Sequence, residues 1–328
     1  MHKKALIVFI FFMLFFACTA EEQLLPYLVP IPTGFPPLLP YPTSNEPTAE
    51  RVELGRLLFF DPVLSRDSSI SCTTCHLPEY AFSDTSALSK GIEGLVGKRN
   101  APALLNVAYQ KYLMRDGGIP NLEKQVMAPL TAHNEMDFDY SRAAQRLKKS
   151  ASYRNLSVQA YNRLPDGFVI SRALAAYQRT LLSTANNPYD RYLMGDTTNN
   201  ATLDESAKRG LQIFEQSGCP NCHTGVLLTD NDFHNTGLYE QYADAGRHLV
   251  SIADTDIGKF KTPSLRNVSR TAPYMHDGSL PDLHAVVEHY ASGGKNHPNK
   301  SPLLHVLPLN DAQKNDLVHF LMCLEDGK

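Results

Sequence analysis

One 24-residue pattern occurs twice in this 328-residue chain, and any fold it adopts must house both copies. Residues 100–123 read NAPALLNVAYQKYLMRDGGIPNLE, and residues 261–284 read KTPSLRNVSRTAPYMHDGSLPDLH. They align without a gap, sharing Pro102/Pro263, Leu104/Leu265, Asn106/Asn267, Val107/Val268, Met114/Met275, Asp116/Asp277, Gly117/Gly278, Pro120/Pro281 and Leu122/Leu283. Each copy follows a Cys-x-x-Cys-His pentapeptide, Cys72-Thr-Thr-Cys75-His76 and Cys219-Pro-Asn-Cys222-His223. Self-similarity of this kind marks a duplicated structural unit. The chain is therefore expected to be a tandem of two related units that have diverged.

The pentapeptide carries its own chemistry. Two cysteines at this spacing can add across the two vinyl groups of a haem, leaving the next histidine to ligate the iron. With six Cys and twelve His, chance yields such a pentapeptide about 0.004 times per chain, so two are not accidental. A four-cysteine zinc site usually brings its pairs about 15–20 residues apart, whereas these lie in opposite halves. A thioredoxin-like redox motif has no need of the same histidine twice. Two c-type haems are expected, attached at Cys72, Cys75, Cys219 and Cys222 and ligated axially by His76 and His223. The net charge of -3 excludes nucleic acid as an expected partner. Cys323, on the apolar face of a C-terminal helical pattern, reads as a structural cysteine.

A basic start (His2, Lys3, Lys4) precedes an apolar run from Ala5 to Ala17, too short to span a bilayer. That order reads as a secretory signal. Leu14-Phe15-Phe16-Ala17-Cys18 resembles a lipobox with Cys18 as the acylated residue, ordinary cleavage near Ala20 being the alternative. The expected compartment is periplasmic and oxidising, with a membrane met only through the lipid. Eight prolines between Pro26 and Pro47 favour extended backbone, as a semi-rigid tether or a wrapping arm. The expected order is a signal peptide with lipobox (1–18), a proline-rich tether (19–47), a first haem domain (48–195) and a second (196–328).

The units read as mainly α. Thr202 to Glu205 suggests a capping box ahead of Ala207, Leu211 and Phe214 on one face. Leu283, Val286, Val287 and Tyr290 stand at helical spacing, as do Leu317, Phe320, Leu321 and Leu324. Tyr290 corresponds, in the first copy, to Pro129, which cannot ligate iron. A haem whose sixth position is filled carries electrons, and one left open can catalyse. One closed and one open haem are therefore expected, with Tyr290 the axial candidate at the closed one and Met275 its rival.

The ordered series Cys-x-x-Cys-His, Phe82-Ser83-Asp84, Gly-x-x-Gly-x-x-Gly-Lys-Arg-Asn ending at Asn100, Asp116-Gly-Gly, Leu122-Glu-x-Gln125, Glu135-Met136, the second Cys-x-x-Cys-His and Thr271-Ala-Pro-Tyr-Met-His-Asp-Gly278 resembles the bacterial di-haem cytochrome c peroxidases and their MauG-type relatives. The likeness runs from Thr48 to the C-terminus. It implies two tandem cytochrome c-like domains, the first haem peroxidatic and the second passing electrons. By the same resemblance Glu135 is the acid–base group beside the open iron and Gln125 its hydrogen-bonding companion. Asn100, through its side chain, and Thr271 and Pro273, through backbone oxygens, would hold one calcium ion. His276 matches a position near the second haem, as a propionate or ligand-support contact or as a buried structural histidine.

Two departures stand out. Family members often carry tryptophan before the first Asp-Gly, where this chain has Arg115, and the sequence holds no tryptophan. Electrons between the haems must use Tyr112, Met114 or direct tunnelling. Many peroxidases have methionine where Tyr290 stands, and the MauG-type branch has tyrosine. The expected activity is reduction of hydrogen peroxide to water with electrons from a small cytochrome or copper protein. The alternatives are MauG-like oxidation of a side chain on a protein substrate and a di-haem electron carrier without catalysis. The resemblance also allows a homodimer.

Overall fold

A computed structural model describes residues 26–196 and 202–327. The leader, Cys18 and the first part of the tether lie outside the described residues. Eleven α-helices are described: α1 (Ala49–Phe60), α2 (Leu122–Gln125), α3 (Met127–Thr131), α4 (Tyr140–Lys149), α5 (Ala151–Tyr161), α6 (Gly167–Gln178), α7 (Pro188–Leu193), α8 (Glu205–Gln216), α9 (His248–Ser251), α10 (Leu283–Ala291) and α11 (Asp311–Met322). The chain is mainly α. Its described strands, β1 (Phe233–His234) and β2 (Phe260–Lys261), form one short antiparallel pair with Phe233 opposite Lys261.

Side-chain oxygens start most of the longer helices by accepting from their free N–H groups: Thr48 for α1, Asp166 for α6 and Asp282 for α10. At α8 the structure corrects the sequence reading. Asp204, not Thr202, is the cap, accepting from the Ala207 N–H at 2.8 Å. A carboxylate at the positive end of a helix is the stronger partner, and Glu205 becomes the first helical residue rather than the third.

Buried side chains gather in two large clusters. One includes Leu54, Leu58, Phe59, Leu130, Ile170 and Leu174, the other Leu211, Phe214, Val287, Leu317, Phe320 and Leu324. Each is built on one close helix crossing, α1 on α6 and α8 on α11. Glycine permits both. A Cβ on Gly55 would stand 1.9 Å from the Ala173 carbonyl oxygen, and one on Gly210 would stand 2.0 Å from that of Asp316. The backbones meet where a side chain would lie.

The two sequence copies meet face to face. The Asn100 N–H donates to the His276 carbonyl at 2.8 Å, and the Lys261 N–H donates to the Arg115 carbonyl, also at 2.8 Å. Asn100 and Lys261 are equivalent positions in the repeat, as are Arg115 and His276, so these two bonds are one bond repeated about a pseudo-two-fold axis. Gly117 and Gly278, again equivalent, both have φ +70°. A Cβ on Gly117 would reach within 2.3 Å of Phe233 Cζ, and one on Gly278 within 2.6 Å of Ala87 Cα. Arg99 adds a fork to Asp244 (2.5 and 2.8 Å) and a bond to Asp116 (2.6 Å).

The proline-rich segment wraps from Pro26 onward, so the folded body begins well before Thr48. Asn45 is fully buried, donating to Glu123 Oε1 at 2.8 Å and to the Arg172 carbonyl at 3.0 Å. Phe35 is buried between Tyr109 of the first half and the Arg266 guanidinium of the second. Proline backbone lacks N–H donors, so an extended strap can cross an apolar surface leaving few polar groups unpaired.

Candidate active site

Both pentapeptides fold alike. Each begins a single tight turn, Cys72–Thr74 and Cys219–Asn221, whose first carbonyl accepts the histidine N–H (2.9 Å at His76, 3.0 Å at His223). The histidine rings are then fixed by the chain beyond: His76 Nδ1 lies 2.9 Å from the Phe82 carbonyl oxygen, and His223 Nδ1 3.2 Å from that of Leu228. With Nδ1 donating, the Nε2 lone pair is the one free for a metal. Burial lowers the pKa of both imidazoles, holding them neutral as ligation requires. It pushes the thiols up, Cys72 to about 12 and Cys75 and Cys219 to about 11.

The second pentapeptide opens on a large, mainly apolar cavity. Cys219, Cys222 and His223 line it together with Leu238, Val286, Leu321 and others. Tyr290, from the inner face of α10, and Met275 both reach the same cavity. The Tyr290 hydroxyl makes no hydrogen bond to the described residues. Its pKa is raised, first by burial and then by the neighbouring Cys222 and Cys219. His276 is buried and stacked on Phe260 at 3.9 Å, its imidazole kept neutral chiefly by burial. Cys222, Asp230 and His234 approach within 4.8 Å of one another, a donor set of metal-ligand type that shares its sulfur with the pentapeptide. Cys323 caps α11 and packs against the second core.

In the first half, Glu135 sits in the turn that leaves α3, where Gly91 packs against its backbone so closely that a Cβ would stand 2.6 Å from Glu135 Cα. Glu135 is exposed, yet desolvation by the surrounding protein raises its carboxyl pKa. It lies close enough to Cys75 to act on that thiol electrostatically. Gln125 ends α2, its amide 3.9 Å from Met114 Sδ. No hydrogen bond links Gln125 to Glu135.

The expected calcium oxygen is already in use. Asn100 Oδ1 accepts from Arg115 Nη2 at 2.6 Å, and the Asn100 carbonyl accepts from Arg115 Nε at 2.8 Å. The bond from Asn100 to His276 sets it opposite the segment carrying Thr271 and Pro273. Lys261 lies nearby, donating to the Tyr112 carbonyl at 2.7 Å and to Gln110 Oε1. Burial and then Arg115 depress Lys261 to about 7. Sequence reasoning set Lys261 opposite Asn100 in the repeat without drawing anything from it. The signal was there, since a charged residue aligned with a buried amide marks where two copies differ.

A family model described as di-haem cytochrome c peroxidase matches residues 49–198. Methylamine utilization protein MauG of Methylophilus methylotrophus is 37% identical over 299 residues, covering 89% of this chain and 87% of that protein. The chain belongs to the di-haem cytochrome c peroxidase family. Another member, cytochrome-c peroxidase IdrP1 of Pseudomonas sp. (strain SCT), is 35% identical over 94% of this chain and 88% of its own length. A solved structure of a MauG-like protein associated with microbial copper homeostasis superposes with a TM-score of 0.85 at 32% identity, covering 92% of this chain and 96% of that one. Membership makes the chain a haem-dependent oxidoreductase of the peroxidase type. The residues fit that cofactor: each oriented histidine stands beside its cysteine pair, and the second faces an apolar cavity containing a tyrosine hydroxyl without a partner.

Proposed function

We propose that the chain consists of two cytochrome c-like domains, residues 48–195 with the arm wrapped over them and 196–328, each holding one covalent haem. The chain would reduce hydrogen peroxide to water, one peroxide taking two electrons and two protons to give two waters. Cys72, Cys75 and His76 would hold the peroxidatic haem, and Cys219, Cys222, His223 and Tyr290 the electron-transfer haem. When bound, these groups supply an iron that takes peroxide and a store for electrons. The protein's own work in the first site is proton handling. Glu135, whose carboxyl pKa desolvation raises, accepts a proton from the nearer peroxide oxygen and returns one to the farther. Gln125 orients peroxide or water through its amide.

The observation that carries this reading is the asymmetry between equivalent helices. α10 brings Tyr290 to the second cavity, while in the first copy Pro129 stands at that position and a carboxylic acid lies near the pentapeptide. Such an arrangement suits one closed and one open haem and argues against a carrier with both irons filled by protein. Stopped-flow spectroscopy of the diferric protein with peroxide, with and without reduced cytochrome c, tests it. Rapid donor oxidation supports the peroxidase, and inertness toward peroxide overturns it.

Tyr290 also favours a second reading, in which oxidising equivalents are stored and used on a side chain of a partner protein. A long-lived oxidised state that reduced cytochrome c fails to discharge would select it. The basic leader and Cys18 support an extracytoplasmic, lipid-anchored location. Among the described residues, no helix is long and apolar enough to cross a membrane.

A further inference from the structure

Two half-buried basic side chains in the space between the two sequence copies, Arg115 and Lys261, touch no carboxylate among the described residues. Arg115 spends its Nε and Nη2 on the Asn100 carbonyl and side-chain oxygen, at 2.8 and 2.6 Å. Lys261 bonds only neutral oxygens, those of Gln110 and the Tyr112 backbone. Neighbouring Arg99 brings a third positive charge, but this one is paired, with Asp116 and Asp244. Arg115 and Lys261 instead both line the cavity of the second pentapeptide. Desolvation disfavours both charged forms, depressing Arg115 to about 10 and Lys261 to about 7, and an anion in the cavity they line would favour them.

Calcium is a hard cation that collects six to eight oxygens, several of them usually anionic, at 2.3–2.6 Å. The oxygens expected for it here, on Asn100, Thr271 and Pro273, are all neutral, and the only side-chain oxygen among them is held by a guanidinium. A dication placed there would face the Arg115 guanidinium, bonded to Asn100, in a medium that screens poorly. The guanidinium does the same electrostatic work with fixed geometry, since its planar fork spans the amide and carbonyl oxygens of one residue.

We propose that Arg115, with Lys261 beside it, replaces calcium as the cation centre between the two copies, and that its counter-anion is a propionate carboxylate of the haem in the second cavity. The inference rests on the haem reading above. It assigns Arg115 a positioning role, set where the pseudo-two-fold axis puts it opposite its repeat partner His276.

The test uses the haem-loaded protein. Haem stoichiometry is measured first by pyridine haemochrome; a chain without two haems overturns the functional reading itself. On a two-haem sample, exhaustive EDTA treatment should leave under about 0.1 calcium per chain, with melting temperature and haem spectra unchanged and unaltered by added millimolar calcium. Stoichiometric calcium, or a chelator-induced loss that calcium restores, overturns the replacement. Arg115→Gln keeps a donor near Asn100 and removes the charge. Since a nearby positive charge favours the reduced haem, the variant should disfavour reduction of the second haem by about tenfold in the reduction equilibrium. Lys261→Gln should shift it the same way. An unchanged equilibrium in both variants overturns the propionate assignment, and the calcium measurement on the unaltered chain stands whether or not either variant folds.

Discussion

Glu135 is the residue on which the proposed chemistry turns. Replacing it with Gln keeps size and polarity but removes the transferable proton, so peroxide turnover should fall roughly 10²–10⁴-fold with both haems retained; steady-state rates with a reduced cytochrome c check this. Its pH profile follows from desolvation, which disfavours the carboxylate and lifts its pKa above the ordinary range. The base form is the one that accepts peroxide's proton, so kcat/KM should rise with pH through that raised pKa, and the Gln variant should lose this limb. Tyr290 supplies a sharper spectroscopic test. Burial alone favours the neutral phenol, and ferric iron is the charge that would draw the phenolate. Tyr290→Phe should convert the second haem from low to high spin in electron paramagnetic resonance, whereas Met275→Leu should leave it low spin. The reverse pattern would make Met275 the ligand.

At the scale of elements, each half depends on one glycine crossing. Ala at Gly55 or Gly210 would put a methyl about 2 Å from a backbone carbonyl oxygen, a clash that no rotamer can relieve. Each substitution should destabilise its half by about 1–3 kcal/mol or more, read as a lower melting temperature and weaker haem retention in that half. The same comparison shows what the sequence made legible. Helical spacing around Leu283–Tyr290 and Leu317–Leu324 predicted α10 and the core face of α11, because apolar periodicity is a property of the chain itself. Its equivalent in the first copy is broken at Val126 into α2 and α3, since Pro129 has no N–H to give the Gln125 carbonyl. Pro129 was read for the ligand it could not supply rather than for the helix it divides. The Asp204 cap was hidden for another reason, and the proline-rich segment was legible only as either a tether or a wrapping arm: both depend on which of several adjacent polar or proline residues the rest of the fold happens to meet.

For the whole molecule, the repeat announced duplication, but how the copies clasp each other depends on their folded arrangement. Ties across the halves should be costly to cut. Arg266 holds Asp190 through two 2.8 Å bonds in a buried pair beneath Phe35 of the arm. Asp190→Ala, leaving the guanidinium unpaired, should destabilise the fold by about 3–5 kcal/mol in chemical denaturation, while Arg56→Ala on the exposed Arg56–Glu53 pair should change little. The reciprocal bonds between Asn100 and His276 and between Lys261 and Arg115 have a consequence of their own. Had this clasp joined two identical chains, each substitution near the axis would have been made on both sides at once. An arginine at 115 would have faced a second arginine, and a tyrosine closing one iron would have closed both. Carrying both halves on a single polypeptide lifts that restriction. Each side can then change alone, which is what the proposed pairing of one site that reacts with one that waits requires.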